Sequence, residues 1–185
     1  SIDVLVNNAG ILSINAIEDE SLEQFQRVMQ TNYFGAVRCT KQVLPTMRKR
    51  GSGTIINVSS VAGRLAIFAE SAYVASKFAL EAFTECLAQE VKGYGIKVAL
   101  VEPGIVDTGM ASTSLPDYDR RTSYPHGRRL HAFFTNPNKP EAPPNLVGEM
   151  IRYVIERNDA RLRFPVGPDA LSFLGWRASL SDEDW

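Results

Sequence analysis

Tyr73 and Lys77 stand four residues apart in an apolar stretch of helical spacing. That spacing puts both side chains on one helix face, about 40° apart around the axis. An ammonium near a phenol favours the phenolate and lowers the phenol's pKa from its usual value of about 10. A phenol tuned in this way can pass a proton to or from a substrate oxygen. Ser60, thirteen residues earlier, leaves a β-branched strand at its C-terminal end. Its hydroxyl can hold the same oxygen as donor or acceptor. The three side chains together suit proton transfer at a substrate oxygen. Alone, a Tyr-x-x-x-Lys pair is a weak signal, and Ser59-Ser60 would equally serve to satisfy a strand end.

The elements that must position these residues alternate between strand and helix. Val4-Leu5-Val6 followed by Asn7-Asn8-Ala9-Gly10 reads as a buried parallel strand and a turn. Residues 21–50 carry helical spacing, interrupted at Gly35 and stopped by Gly51-Ser52-Gly53. A second strand is expected over 54–58, a loop over 59–69 and a long helix over 71–91. A third strand over 96–101 is cut by Pro103-Gly104. A helix over 144–156 with Pro144 in its first turn, a short strand over 162–166 and a weaker helix over 169–178 complete the pattern. Such alternation predicts an α/β fold with a parallel sheet and right-handed crossovers, in one domain spanning 1–185. Residues 107–143 break the rhythm and hold five prolines, at 116, 125, 137, 140 and 143. The segment follows the C-terminal end of a strand, where open α/β sheets bind ligands, and is expected to be a substrate-binding loop or lid.

Composition narrows the functional classes. The 185 residues are 44% hydrophobic and 22% charged, ordinary for a folded protein. Lys plus Arg is 20 against 21 Asp plus Glu, a net charge of −1, which gives no electrostatic case for nucleic acid. No apolar run approaches the ~20 residues of a membrane span. The two cysteines, Cys39 and Cys86, cannot build a disulfide framework, and cytoplasmic reduced thiols are expected, buried and inert among apolar helix neighbours. His126 and His131 have no partners at ligand spacing, so no metal site is expected. The pairs Arg120-Arg121 and Arg128-Arg129 read as a solvated loop.

Asn7-Asn8-Ala9-Gly10, Asn32, Ser60, Tyr73-Val74-Ala75-Ser76-Lys77 and Pro103-Gly104-Ile105-Val106-Asp107-Thr108 occur in one order. In that order and spacing the chain resembles the short-chain dehydrogenase/reductase family from Asp3 to about Met110. The stretch 71–88 looks most like the branch that includes hydroxysteroid and retinol dehydrogenases. The resemblance implies a Rossmann-like doubly wound parallel sheet and an oxidoreductase that uses NAD or NADP on a secondary alcohol or ketone. It implies that Tyr73 is the general acid/base, and that Lys77 lowers its pKa and bonds the nicotinamide ribose. It implies further that Ser60 orients the substrate oxygen and that Asn32 holds a water linking Lys77 to solvent. Asn7, Ala9 and Gly10 would line the cofactor, and Pro103, Gly104, Val106 and Thr108 would wrap its nicotinamide end. Structural alternatives stand beside these roles. Asn32 beside Gly35 could relieve a helix kink, the Asn-Asn-Ala-Gly turn could tie strands together, and Pro103-Gly104 could only break a strand. A non-catalytic cofactor-sensing or scaffold member of the same fold is the rival reading, disfavoured because Ser, Tyr and Lys are all present.

The family's glycine-rich turn, Gly-x-x-x-Gly-x-Gly, is absent from the sequence. The chain also opens on a strand that wants neighbours on both sides. The expectation is a truncated sheet, the last four strands of about seven with the first three, on the order of 80 residues, missing. Such a fragment alone is expected to be inactive. The helix over 71–91 is apolar nearly all round, and a homodimer or homotetramer packed through the helices 21–50 and 71–91 is expected.

Overall fold

The structure, a computed structural model, describes residues 2–110, 124, 132–133, 135–136, 141–158 and 161–185. Four strands form one sheet in the order β1-β2-β3-β4: Val4–Asn7, Gly53–Val58, Ile96–Pro103 and Arg163–Val166. Every pairing is parallel, with Leu5 opposite Ile55, Ile55 opposite Val98 and Val101 opposite Phe164. Both faces are covered, as a parallel sheet requires. On one face α2 (Gly35–Arg50) and α3 (Ser71–Glu90) pack Val43, Met47 and Leu87 onto Ile55 and Ile96. On the other, α4 (Pro144–Glu156) packs Val154 and its neighbours onto Ile56, Ala99, Val101 and Phe164. A last helix, α5 (Ala170–Ala178), lays Phe173 and Leu174 against Val61 and Leu65. The doubly wound expectation is met.

The boundaries differ from expectation in three informative places. The long helix over 21–50 is not broken at Gly35. Instead α1 (Leu22–Met29) runs into a π-turn over Gln30–Phe34 that ends where α2 begins at Gly35. A π-turn inserts one extra residue per turn and re-aims the side chains within it. Asn32 lies inside this turn and is buried. The third strand continues through Glu102 to Pro103, because its partner β4 reaches Val166. Finally, Gly51 (φ 72) and Gly95 (φ 67) meet backbone to backbone: a Cβ on Gly95 would stand 2.1 Å from the Gly51 carbonyl oxygen. Only glycine allows the end of α2 and the entry to β3 to touch this closely.

A buried polar ladder crosses the sheet. Asn7 Nδ2 donates to Asn57 Oδ1 at 2.7 Å and to Thr40 Oγ1 at 3.4 Å. Asn57 Nδ2 in turn donates to Thr84 Oγ1 at 2.8 Å. The chain of bonds links α2, β1, β2 and α3, and leaves Asn7 as a tie between elements. The two cysteines correct the sequence reading: both are exposed free thiols, on α2 and α3. With Phe34 and Phe78, 41% and 43% exposed, they belong to outward helix faces. Most of the 107–143 segment, with both histidines and the arginine pairs, lies outside the described residues. Its neck is fixed: Ala142 N donates to Ile105 O at 2.8 Å and Asp107 N to Ala142 O at 3.0 Å, around a parallel bridge between Val106 and Ala142.

Candidate active site

The carboxyl ends of β1, β2 and β3 open into a cleft of about 1660 Å³. Ala9, Gly10, Ser60, Tyr73, Lys77, Pro103, Gly104, Val106 and Thr108 all line it. Of the expected site residues, Asn7 and Asn32 alone stand behind the wall.

Ser60 is held where β2 ends. Its backbone is extended and its hydroxyl oxygen accepts from Ala62 N at 3.1 Å, starting the short turn Val61–Gly63. The same hydroxyl donates to the Pro103 carbonyl at 3.3 Å and lies near the Tyr73 phenol, whose ionised form it favours. One hydroxyl proton serves one of these at a time, so Ser60 can turn toward whichever acceptor is charged. Tyr73 lies half-buried on the first turn of α3. Burial pushes its phenol up to about 12; the Ser60 hydroxyl pulls it back and the Glu70 carboxylate adds to the rise.

Lys77 corrects a second expectation. Its Nζ donates to Val58 O at 2.9 Å and stands 5.5 Å from the centre of the Tyr73 ring, over the ring face. In this arrangement burial outweighs the nearby charge, and the phenol stands above its ordinary value. Burial draws the Lys77 ammonium down to about 8, against the opposing charge of Glu81. Nζ has two further N–H donors and borders the cleft.

Asn32 sets the wall from behind. Its Oδ1 accepts from Ile11 N at 2.8 Å, and its Nδ2 donates to Ile11 O and to Ser76 Oγ, both at 2.9 Å. Both amide protons are taken, so the side chain has none left for a water beside Lys77. It clamps the Gly10-Ile11 turn onto α3. Asp169, which the sequence reading passed over, does the same for the other wall. Its Oδ2 accepts from Ile105 N at 2.8 Å, and a Cβ on Gly104 would lie 2.3 Å from its Oδ1. The Pro103-Gly104-Ile105 turn therefore does more than break a strand, since a buried carboxylate holds it. The sequence signals only a weak helix from residue 169 onward, which carries no hint of this bond.

Beneath the cleft lies an ionic cluster. Glu102 on β3 is fully buried, with Arg163 Nε 3.2 Å and Arg64 Nη1 3.7 Å from its oxygens. Arg163 also pairs with Glu81 at 3.0 Å and with Glu85. Neither Glu102 oxygen gains an aligned hydrogen bond, and burial, with Glu81's charge, pushes Glu102 up to about 7. No cluster of three His, Cys, Asp or Glu side chains suited to a metal occurs among the described residues.

With this geometry in hand, comparison with known proteins is decisive. The family described as short chain dehydrogenase matches residues 1–119. The chain belongs to the short-chain dehydrogenase family. An uncharacterized oxidoreductase of Bacillus subtilis, YusZ, is 38% identical over 172 residues, covering 90% of this chain and 61% of that protein. Retinol dehydrogenase 8 of Bos taurus is 49% identical over 107 residues, 58% of this chain and 34% of the relative. Among solved structures, an actinorhodin polyketide ketoreductase with NADPH superposes with a TM-score of 0.76 at 32% identity, over 91% of this chain and 67% of that one. The short-chain dehydrogenase chain thus spans about three fifths of its Bacillus relative, 61%. Among the described residues, no helix is long and apolar enough to cross a membrane.

Proposed function

We propose that the full-length protein is an NAD(P)-dependent oxidoreductase of secondary alcohols and ketones, with Tyr73 as its acid/base. One observation carries the reading: the Ser60 hydroxyl, the Tyr73 phenol and the Lys77 ammonium all line one cleft at the carboxyl ends of the strands. The residues present fit the nicotinamide end of a dinucleotide. Lys77 offers spare donors to ribose hydroxyls, and Gly10 and Gly104 let the backbone line the cleft closely on either side. Without a Gly-x-x-x-Gly-x-Gly turn, these residues do not supply the phosphate-binding end. When bound, the nicotinamide supplies or accepts the hydride.

The chain's own residues handle the proton. Ser60 orients the substrate oxygen, and Tyr73 gives that oxygen a proton as the carbonyl carbon gains hydride, or takes one in reverse. A phenol held near 12 is protonated at neutral pH, which suits the acid of the reducing direction. Lys77 fixes the Tyr73 ring and meets the cofactor ribose. Asn32 and Asp169 are positioning residues, each acting through the turn it clamps. The opposite side of the cleft presents Val147, Ile151, Phe173 and Trp176, so the substrate carries an apolar body.

Outward Phe34, Phe78 and Cys86 support a homodimer or homotetramer through α1–α2 and α3, to be tested by the solution mass of the full-length protein. Free surface thiols fit a reducing compartment such as the cytoplasm. The functional test is ketone-dependent oxidation of NADPH or NADH by the full-length protein. Saturable turnover is expected, and none with any ketone of a varied panel would refute the proposal.

A further inference from the structure

One buried acid in the cleft has no use in the reaction just described. Glu70 precedes α3, three residues before Tyr73 and thus on the same side of the helix. It is 4% exposed and borders the cleft. Among the described residues no hydrogen bond or ion pair reaches its carboxyl. A helix-capping role is ruled out, because its side chain makes no bond to the helix start. Its mount is rigid: Val74 N donates to Glu70 O at 2.8 Å, and Asn15 N donates to the carbonyl of Ala69 at 2.7 Å. Ala69 itself holds φ at 65, a strained setting for a residue with a side chain. Burial alone pushes the Glu70 carboxyl up to about 7.

A cleft-facing carboxyl with no protein donor depends on water, and an apolar ligand that excludes this water leaves it unsatisfied at a cost. The cleft that Glu70 borders is otherwise largely apolar, its lining including Leu65, Ile67 and Phe173. A ligand bringing its own donor removes that cost, and a ligand without one incurs it in full. Sites of this kind reject the analogue that lacks the matching group. We propose that Glu70 is a specificity-determining residue, its carboxyl accepting a hydrogen bond from a second donor, a hydroxyl or an ammonium, on the substrate whose carbonyl Tyr73 serves. The assignment rests on the oxidoreductase reading for the identity of the reacting group. It does not rest on it for the recognition itself.

The test uses the full-length protein with three cyclohexanones bearing a methyl, a hydroxyl or an amino group at C4. kcat/KM with NADPH or NADH is compared for the unaltered enzyme, Glu70→Gln and Glu70→Leu. The unaltered enzyme is expected to favour the hydroxyl or amino ketone over the methyl ketone by about tenfold or more. Glu70→Leu should abolish or reverse that ratio. Glu70→Gln should keep a preference for the hydroxyl ketone and lose one for the amino ketone, which distinguishes the two donors. Calorimetric binding of the corresponding cyclohexanols to the same three proteins reads the discrimination without turnover. Loss of discrimination in Glu70→Leu supports the assignment. Discrimination unchanged in Glu70→Leu, in binding or in kcat/KM, overturns it. Absence of turnover with discrimination intact in binding would count against the oxidoreductase reading alone.

Discussion

The two walls of the cleft are built on different principles. The wall carrying Ser60, Tyr73 and Lys77 is held by directional hydrogen bonds. Ser60 bonds Pro103 O, Lys77 bonds Val58 O, and Asn32 behind them clamps Ile11 and Ser76. The opposite wall is apolar and loosely specified. Phe173 and Trp176 come from α5, Val147 and Ile151 from α4, and Trp185 packs against Trp176 with ring centres 4.7 Å apart and planes tilted by 59°. Directional bonds fix atoms within tenths of an ångström and suit a proton transfer. Apolar contacts are non-directional and exchangeable, and suit selection by shape. One wall sets the reaction and the other chooses what undergoes it.

Breaking the first wall should cost most. Replacing Lys77 by Met in the full-length protein removes the bond to Val58 and the cation over the Tyr73 ring. Turnover is expected to drop about a hundredfold or more, with weaker cofactor binding, both read by steady-state kinetics. A rise in KM for ketone alone, with kcat unchanged, would show that Lys77 belongs to the selecting wall. Breaking the second wall should act differently. Trp176→Ala is expected to raise KM for a bulky apolar ketone about tenfold and to leave kcat for a small ketone nearly unchanged. A fall in kcat on small and bulky ketones alike would erase the distinction between the walls.

The smallest effect lies beneath the first wall. Folded Glu102 holds its proton up to about 7, whereas 4.5 is its ordinary value. A carboxyl raised in the folded state favours folding fully below the unfolded pKa, and that contribution is lost as pH rises through the folded pKa. Chain stability should therefore decline between about pH 4.5 and 7, by a few degrees in Tm. Glu102→Gln should flatten the decline, because its amide carries no charge to desolvate. Thermal melts across that range check it, and an identical slope in the variant would assign the titration to Glu70 or Glu81.

The same contrast explains how much was legible beforehand. The first wall was readable because its chemistry demands particular residue types at particular spacings, and Ser60, Tyr73 and Lys77 do converge. Strand and helix alternation gave the sheet for the same reason, since periodicity survives without knowledge of neighbours. Solvation was not readable. Spacing put a cation beside a phenol and suggested a lowered pKa, but burial raises Tyr73 and Lys77 spends a donor on Val58. Pairings between distant residues were hidden too: Asp169 with Ile105, and Glu102 with Arg163. Cys39 and Cys86 were misplaced because a helix apolar on every side does not reveal which side meets the sheet. The second wall left almost no trace, since many apolar sequences would line it equally well.

The account stands on Tyr73 as the group that moves the proton. Single-turnover hydride transfer from NADPH or NADH to a ketone, measured in the full-length protein and in Tyr73→Phe, tests this most directly. The phenylalanine variant should bind cofactor within about twofold of the unaltered protein and transfer hydride at least about a hundredfold more slowly. An unchanged hydride-transfer rate would contradict the assignment and move the acid to another residue of the cleft.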